Sequence, residues 1–402
     1  MKSNYKQLGQ YIEMVSRTNS DLKYGIEDVR GCSNTKQIMQ TRANLIGRTY
    51  EKFIVLKSQE FVFNRRTTRN GEKIGMAYNN TDREYIFTND YVAFRVKQEY
   101  LDKLLPDYLY LFFCREEFDR YARYKSTGSA TEFFNWEDMC AVPFEIPPMD
   151  FQQRVVNSYK ILNERIETKQ KINDNLRASA SIMFFNKIRY VQCSECCQGT
   201  EIGTYPIDWT LSTLGDVLDT IIDRRGLTPT KLGSEWSDEG IIALSAKSVK
   251  NHELVNLDIA NHVDNDLYNR WMPQKLQSQD ILMTSEAPLG EFYYLADFST
   301  YCLSQRLFAM RANKTTIEPT VLYFQLTDSI GKHQIDIRKT GTTVTGIRQS
   351  ELIQVPIIVP PMNIQKEFAH FCNPIMITIE KNADEIRQLF KLQEMLLSRL
   401  SR

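Results

Sequence analysis

Two kinds of short string in this chain could do chemistry. Residues 64–73, NRRTTRNGEK, set Arg65, Arg66, Arg69 and Lys73 among Asn64, Thr67, Thr68 and Asn70. A guanidinium fork matches guanine O6 and N7, a carboxamide matches adenine N6 and N7, and Lys, Thr and backbone N–H groups hold phosphate. The chemistry predicted is contact with nucleic acid; the plain alternative is a solvated hairpin tip turned at Gly71. Arg120, Arg123 and Lys125, ahead of the turn Thr127-Gly128-Ser129, form a second basic patch. The second half of the chain offers Arg224-Arg225-Gly226, then Lys247 and Lys250 after a strand-like run, then Arg338-Lys339-Thr340-Gly341-Thr342-Thr343. Basic pairs beside a small-residue turn suit a phosphate clamp, with ordinary loop solubility as the alternative.

The other string is Pro-Pro-Met, which occurs as IPPMDFQ (146–152) and VPPMNIQ (359–365). An amino-methyltransferase loop would need Asn, Asp or Ser before the two prolines and an aromatic after them. Here Ile146 or Val359 precedes and Met follows, so neither copy can accept from a target amino group or stack on a base. A Gly-rich cofactor turn, a GxxxxGK[ST] phosphate loop, HExxH and GxSxG are all missing. Glu167-Thr168-Lys169 is a fragment of a nuclease ExK motif without its partner Asp, and reads as a helix face. The cluster CSECC (193–197) lacks the second ligand pair that a zinc site wants, so it reads as linker and no metal is expected. The weight therefore moves from catalysis to binding.

The positioning elements follow from length and repetition. A chain of 402 residues is too long for one ordinary core. Its Lys plus Arg balance its Asp plus Glu, 50 against 50, so any nucleic-acid contact must come from local patches. Scattered cysteines fit a cytoplasmic protein. No apolar run reaches the ~18 residues of a membrane span, and MKSNYKQLGQ at the start lacks a leader's apolar core.

One register aligns Val142, Pro143, Pro147, Pro148, Met149 and Gln152 with Val355, Pro356, Pro360, Pro361, Met362 and Gln365. It also brings Thr127-Gly128 onto Thr340-Gly341 and Ile166-Glu167 onto Ile379-Glu380. The halves are diverged copies, each a variable part followed by a shared part. The variable parts carry strand-like runs such as FIVLKSQEFVFN and CLSQRLFAMRA, and one helix is expected to close each, over 107–124 and 319–336.

After Pro-Pro comes a long helix in each copy, with Asp150 and Asn363 placed as N-caps and Gln153 completing a capping box in the first. A 4-3 spacing runs through Val155, Tyr159, Leu162, Ile166, Lys169, Asn173, Leu176, Ala180 and Met183. Its counterpart runs through Phe368, Cys372, Ile375, Ile379, Asn382, Ile386, Leu389, Gln393 and Leu396. Both seams are interrupted midway by polar residues, which can fix register and partner. A helix of about 38 residues would be about 57 Å long, too long for one small β-rich domain to bury.

The predicted fold is α+β. Domain 1 (1–149) and domain 2 (206–362) are β-rich heads. They are joined by helices over 150–191 and 363–402, laid antiparallel by a pseudo-two-fold internal repeat, with a linker over 192–205. This is a dumbbell with a coiled-coil spacer.

These residues carry a resemblance. DRRGLTP (223–229), GIIALSAKSVKN (240–251), LQSQDILMTSEAPLGE (276–291), CLSQRLFAMR (302–311) and GTTVTGIRQSELIQVPIIVPPMNIQ (341–365) are similar to target-recognition signatures of the specificity (S) subunits of type I restriction–modification systems. FVFNRRTTRNGEKIGMA (61–77) and NDYVAFRV (89–96) resemble a variant of them. The first head's GSATEFFNWEDM departs from the second's GTTVTGIRQSEL.

The resemblance implies a non-catalytic subunit whose heads each read one half of a split, asymmetric site in double-stranded DNA. It adds Ser285 and Arg306 to the DNA-binding candidates. It implies two modification (M) subunits per chain docked on the helices, with restriction (R) subunits as optional members. S-adenosylmethionine belongs to M, and ATP and Mg²⁺ to R. M would flip its target adenine. Three alternatives stay open: a self-sufficient enzyme, a two-headed scaffold for proteins, and a specificity subunit of a methylation-only or type IIB-like system.

Overall fold

The computed structural model describes residues 6–41, 44–45, 47–67, 73–128, 132–190, 197–200, 202–297, 299–341 and 345–400. The chain divides into two compact units, 1–166 with 388–402, and 167–387.

In the first unit, β1 (Ile12–Val15), β2 (Phe61–Asn64), β3 (Met76–Tyr78) and β4 (Tyr91–Val96) form an antiparallel four-stranded sheet, ordered β1-β4-β2-β3. Phe61 and Phe63 alternate with Val62, so the aromatics share one face. Phe61 stacks on Phe94 at 5.0 Å, and both are fully buried. Against this face pack α1 (Pro106–Phe113) and α2 (Glu116–Lys125), through Phe113 and Phe118. One helix was expected over 107–124. It breaks at Arg115, which is extended; its guanidinium lies 4.0 Å over Phe112 and donates to Leu400 O at 3.2 Å.

In the second unit, β5 (Leu218–Asp223), β6 (Ile281–Ser285), β7 (Leu289–Tyr294) and β8 (Leu307–Ala312) repeat that order as β5-β8-β6-β7. Here too the single helix expected over 319–336 is two, α4 (Pro319–Thr327) and α5 (Ser329–Asp336). Asp328 between them leaves the helix, caps Gly331 N at 2.7 Å and pairs with Arg189 at 2.6 Å. The stretch read as linker also differs: Cys197–Thr200 pairs with Gly203–Pro206 as a hairpin. Ile202 and Tyr205 are buried in the unit's core, which is reason enough for it to be structured. Residues 191–196, with Cys193 and Cys196, lie outside the described residues.

The Pro-Pro-Met strings open α3 (Met149–Phe184) and α6 (Met362–Arg399). The expected caps are corrected: Pro148 O and Pro361 O accept the first helical N–H bonds, so Asp150 and Asn363 lie inside the first turn. Gln153 makes no box and donates to Asn157 instead, at 2.9 Å.

The glutamine closing each string does the work. Gln152 is fully buried; its Oε1 accepts from Leu105 N at 2.9 Å, and its Nε2 donates to Lys103 O at 2.7 Å and Pro147 O at 2.8 Å. Gln365 is also fully buried and repeats this bond for bond, with Glu318 N at 2.8 Å, Thr316 O at 3.1 Å and Pro360 O at 2.7 Å. Each glutamine satisfies three backbone groups where helix, head and Pro-Pro turn meet, groups that would be costly to bury unpaired.

Along α3 and α6 every seam residue is buried or half-buried. Val155 and Tyr159 join the first unit's core, as does the α6 end through Leu397. Leu162 is half-buried, and Ile166 and Leu389 are buried. In the second unit Leu176, Ala180 and Met183 pack with Phe368, Cys372, Ile375 and Ile379, and Ile386 is half-buried. There Lys169 meets Asn382, and Lys187 meets Glu367 at 2.5 Å, so these segments run in opposite directions.

Candidate nucleic-acid interface

In each unit the basic residues converge by the same backbone scheme. In the first, Phe133 forms bridges to both Arg66 and Thr127, and Phe134 N donates to Arg65 O at 2.9 Å. The two patches of the first half, Arg65-Arg66 and Arg123-Lys125-Thr127, are therefore neighbours. In the second, Gly346 bridges to Glu286 and Thr340, and Ile347 N donates to Ser285 O at 2.9 Å. Ser285-Glu286 thus stands where Arg65-Arg66 stands, beside Arg338-Lys339-Thr340.

The hairpin of the first unit starts with Asn64 Oδ1 accepting from Arg66 N at 3.0 Å, which bends the chain out of β2. Thr67 is pinned to Glu132 O by its N–H at 3.0 Å and its hydroxyl at 3.2 Å. Arg66 is exposed and pairs with Asp90 at 3.2 Å. Arg65 is half-buried, with its Nε enclosed and lacking a hydrogen-bond partner. Lys73 is exposed. Arg123 pairs with Glu132 at 3.3 Å, and Lys125 lies 5.9 Å from the rings of Tyr121 and Tyr124. Thr68, Arg69 and Asn70 lie outside the described residues.

In the second unit, Arg225 is clamped by Asp223 through Nε at 2.9 Å and Nη2 at 2.7 Å, and lies 4.1 Å over Phe308. Its Nη1 reaches Ile347 O at 3.5 Å, which ties it to the Thr340 turn. Arg224 is half-buried with an unpartnered Nε. Arg306 is half-exposed and pairs with Glu286 at 3.2 Å. Lys247 is exposed on a 3-10 turn; its neighbour Ala246 donates to Gln305 O at 3.3 Å, one residue from Arg306. Arg338 bonds Gln334 through its carbonyl at 2.9 Å and its side chain at 2.6 Å, and Lys339 pairs with Asp336 at 2.8 Å. Thr340 is exposed, and Thr343 lies outside the described residues.

Ser285 differs from its expected surface role. It is 1% exposed, with an unpartnered Oγ, and its N–H donates to Arg306 O at 2.9 Å. The group beside it that reaches solvent is the half-buried Glu286. Asp90 and Glu286 carry no signal in the local sequence; each carboxylate is recognised only as the partner of a cation twenty or more residues away, Arg66 and Arg306.

Behind the second site, Asn251 N donates to Glu291 at 2.7 Å, and His252 Nδ1 lies 2.8 Å from the Tyr323 hydroxyl. Burial, then Lys332 and Arg177, holds His252 down to about 4, against a smaller upward pull from Glu291. Among the described residues no cluster of His, Cys, Asp and Glu could hold a metal, and no helix is long and apolar enough to cross a membrane.

The type I restriction modification DNA specificity domain is matched twice in this chain, over residues 9–178 and 206–390. A Methanocaldococcus jannaschii protein named for the specificity subunit of the MjaX type I restriction enzyme is 24% identical over 263 residues, covering 63% of this chain. The match spans only 57% of that relative's length. The type I restriction enzyme MjaVIII specificity subunit of the same organism is 22% identical over 317 residues, 76% of this chain and 72% of its own. In fold, the crystal structure of a type I restriction-modification S subunit from M. genitalium superposes with a TM-score of 0.56 at 11% identity, covering 98% of this chain and 95% of that one. A domain matched in both halves, on two units that repeat one sheet order, makes this chain a member of the type I restriction-modification DNA specificity family.

Proposed function

We propose that this chain is the DNA specificity subunit of a type I restriction–modification complex, acting in the cytoplasm. Each head reads one half of a bipartite, asymmetric site in double-stranded DNA. The observation that carries the reading is the duplicated turn edge: one backbone scheme sets Arg65, Arg66 and Thr127 together in one unit and Ser285, Glu286 and Thr340 in the other, where Arg225 and Arg306 join through their side chains. Cations on a shared rim hold phosphate, and forked guanidinium groups read bases. The two rims differ in side chains, so the two half-sites differ.

In this reading α3 and α6 pair along their seams as a coiled-coil spacer that fixes the distance between half-sites. Half-sites read from one side of DNA lie about one turn, ~10 bp, apart. Two M subunits dock on the helices, one per copy of the repeat. Ile182 and Met395 support this, since they occupy the same place in the two copies and are 61% and 53% exposed. The chain itself is non-catalytic: S-adenosylmethionine would be carried by M, and ATP and Mg²⁺ by R subunits where these join.

Co-expression with the neighbouring modification subunit, followed by methylome sequencing, tests the reading. A bipartite methylated motif that vanishes without this chain is expected. Methylation that persists without it, or a motif with no split, refutes it. Arg65→Ala with Arg66→Ala should weaken DNA binding and lower its salt dependence; unchanged, salt-independent binding favours the protein scaffold.

A further inference from the structure

The two heads carry one ion pair with its charges exchanged. β2 pairs with β4 through Asn64↔Tyr91, and β6 pairs with β8 through Thr284↔Leu307. Two residues beyond the first partner lie Arg66 and Glu286; one residue before the second lie Asp90 and Arg306. Arg66 pairs with Asp90 and Glu286 pairs with Arg306, each at 3.2 Å. Arg66 bridges to Phe133 and Glu286 to Gly346, beside the Thr127 and Thr340 turns. The positions are equivalent, and the polarity is opposite.

Both pairs are half-open to solvent, with side chains 56% and 45% exposed in the first head, and 52% and 38% in the second. Exposed pairs like these contribute little to stability. Their setting is nonetheless built. Gly346 approaches Glu286 so closely that a Cβ there would lie 3.0 Å from the Glu286 Cβ. The residue before each pair, Arg65 or Ser285, holds an enclosed polar atom without a partner.

We propose that each pair reads a single G·C base pair in the major groove, and that the exchange of charges reads it in opposite orientation in the two half-sites. The inference rests on the DNA-recognition reading above and names the residues that set the sequence. A guanidinium donates to guanine O6 and N7, and a carboxylate accepts from cytosine N4. Guanine O6 and cytosine N4 are themselves hydrogen-bonded, ~2.9 Å apart. In the first head Arg66 Nη2 and Asp90 Oδ1, 3.2 Å apart, present a donor and an acceptor near that spacing; in the second, Arg306 turns Nε to Glu286 Oε1 at 3.2 Å, and its Nη groups are the donors beside the carboxylate. In the first head the donor follows β2 and the acceptor precedes β4. In the second, the acceptor follows β6 and the donor precedes β8.

The test uses the full chain in complex with its modification subunit, with selection from a random-sequence duplex library. Three chains are compared: the natural one, Arg66→Asp with Asp90→Arg, and Glu286→Arg with Arg306→Glu. Each swap keeps the pair and the net charge. The first swap should invert one G·C preference in one half-site only, and the second should do so in the other half-site only. Each change should be roughly tenfold to hundredfold at that base pair. Should a swap fail to fold by thermal melting, Asp90→Asn or Glu286→Gln carries the same test, as relaxed preference at one position. An unchanged motif, or loss of all DNA binding by a folded variant, overturns the inference while leaving the recognition reading in place. A natural complex that enriches no bipartite sequence overturns that reading, and this inference with it.

Discussion

Lys169 Nζ donates to Asn382 Oδ1 at 2.8 Å, and these residues stand 213 positions apart, the register of the internal repeat. A residue meets its own counterpart only where a two-fold relates the two segments locally. Around this point the polar seam residues satisfy one another. Lys169 pairs with Glu385 at 2.8 Å, Asn382 Nδ2 donates to Asn173 at 2.8 Å, and Asn173 Nδ2 donates to Ile379 O at 3.2 Å. Side chains that interrupt an apolar seam thereby become the feature that permits a single register.

Asn173→Leu should destabilise the chain by about 2 kcal/mol, because it leaves the buried Asn382 amide without its acceptor. Asn173→Leu with Asn382→Leu should cost less than the two single changes summed, with a coupling of about 1 kcal/mol or more. Urea denaturation of the four chains gives the cycle, and additive costs would count against a coupled network.

Gln152→Leu and Gln365→Leu should each cost about 3 kcal/mol, since each strands three partly buried backbone groups. The effects should match, because the bonds match. A loss under 1 kcal/mol in either would show that water or the relaxed turn replaces the side chain.

Stability should fall in acid through His252. Its folded-state value, about 4, lies below its ordinary 6.5, so the unfolded chain takes up the proton first. The contribution is full above pH 6.5 and is lost as pH drops towards about 4. His252→Gln should remove that part of the slope in urea midpoints measured across this window. Burial raises Glu380 and gives an opposite trend, which cancels when the two chains are compared.

Four residues inserted after Glu167 add about 6 Å to a helix, close to two base-pair steps. Under the proposed function the methylated motif should keep both half-sites and gain spacer length. An unchanged spacer would remove the helices from the measurement of distance.

Much of this protein was legible in order along the chain. The repeat follows from Pro-Pro-Met-x-x-Gln recurring in one register, and the long helices from the 4-3 spacing between Val155 and Met183 and between Phe368 and Leu396. Such periods survive in sequence because each depends on neighbours a few residues away. The helix caps were misread because Pro148 O and Pro361 O, backbone atoms with no side-chain signal, accept the first bonds.

Sequence by itself determined that two related units exist, where each passes into its helix, and which cations crowd the loops. Tertiary structure alone decided that the dissimilar runs 61–64 and 281–285 are equivalent strands of two sheets with one strand order. It alone set Asp90 beside Arg66 and Glu286 beside Arg306, with their charges exchanged. The physical reason is that strand pairing constrains backbone register and alternation, while side chains at an exposed sheet edge are free to change. Equivalence there is written in hydrogen bonds between distant residues, where no local pattern records it.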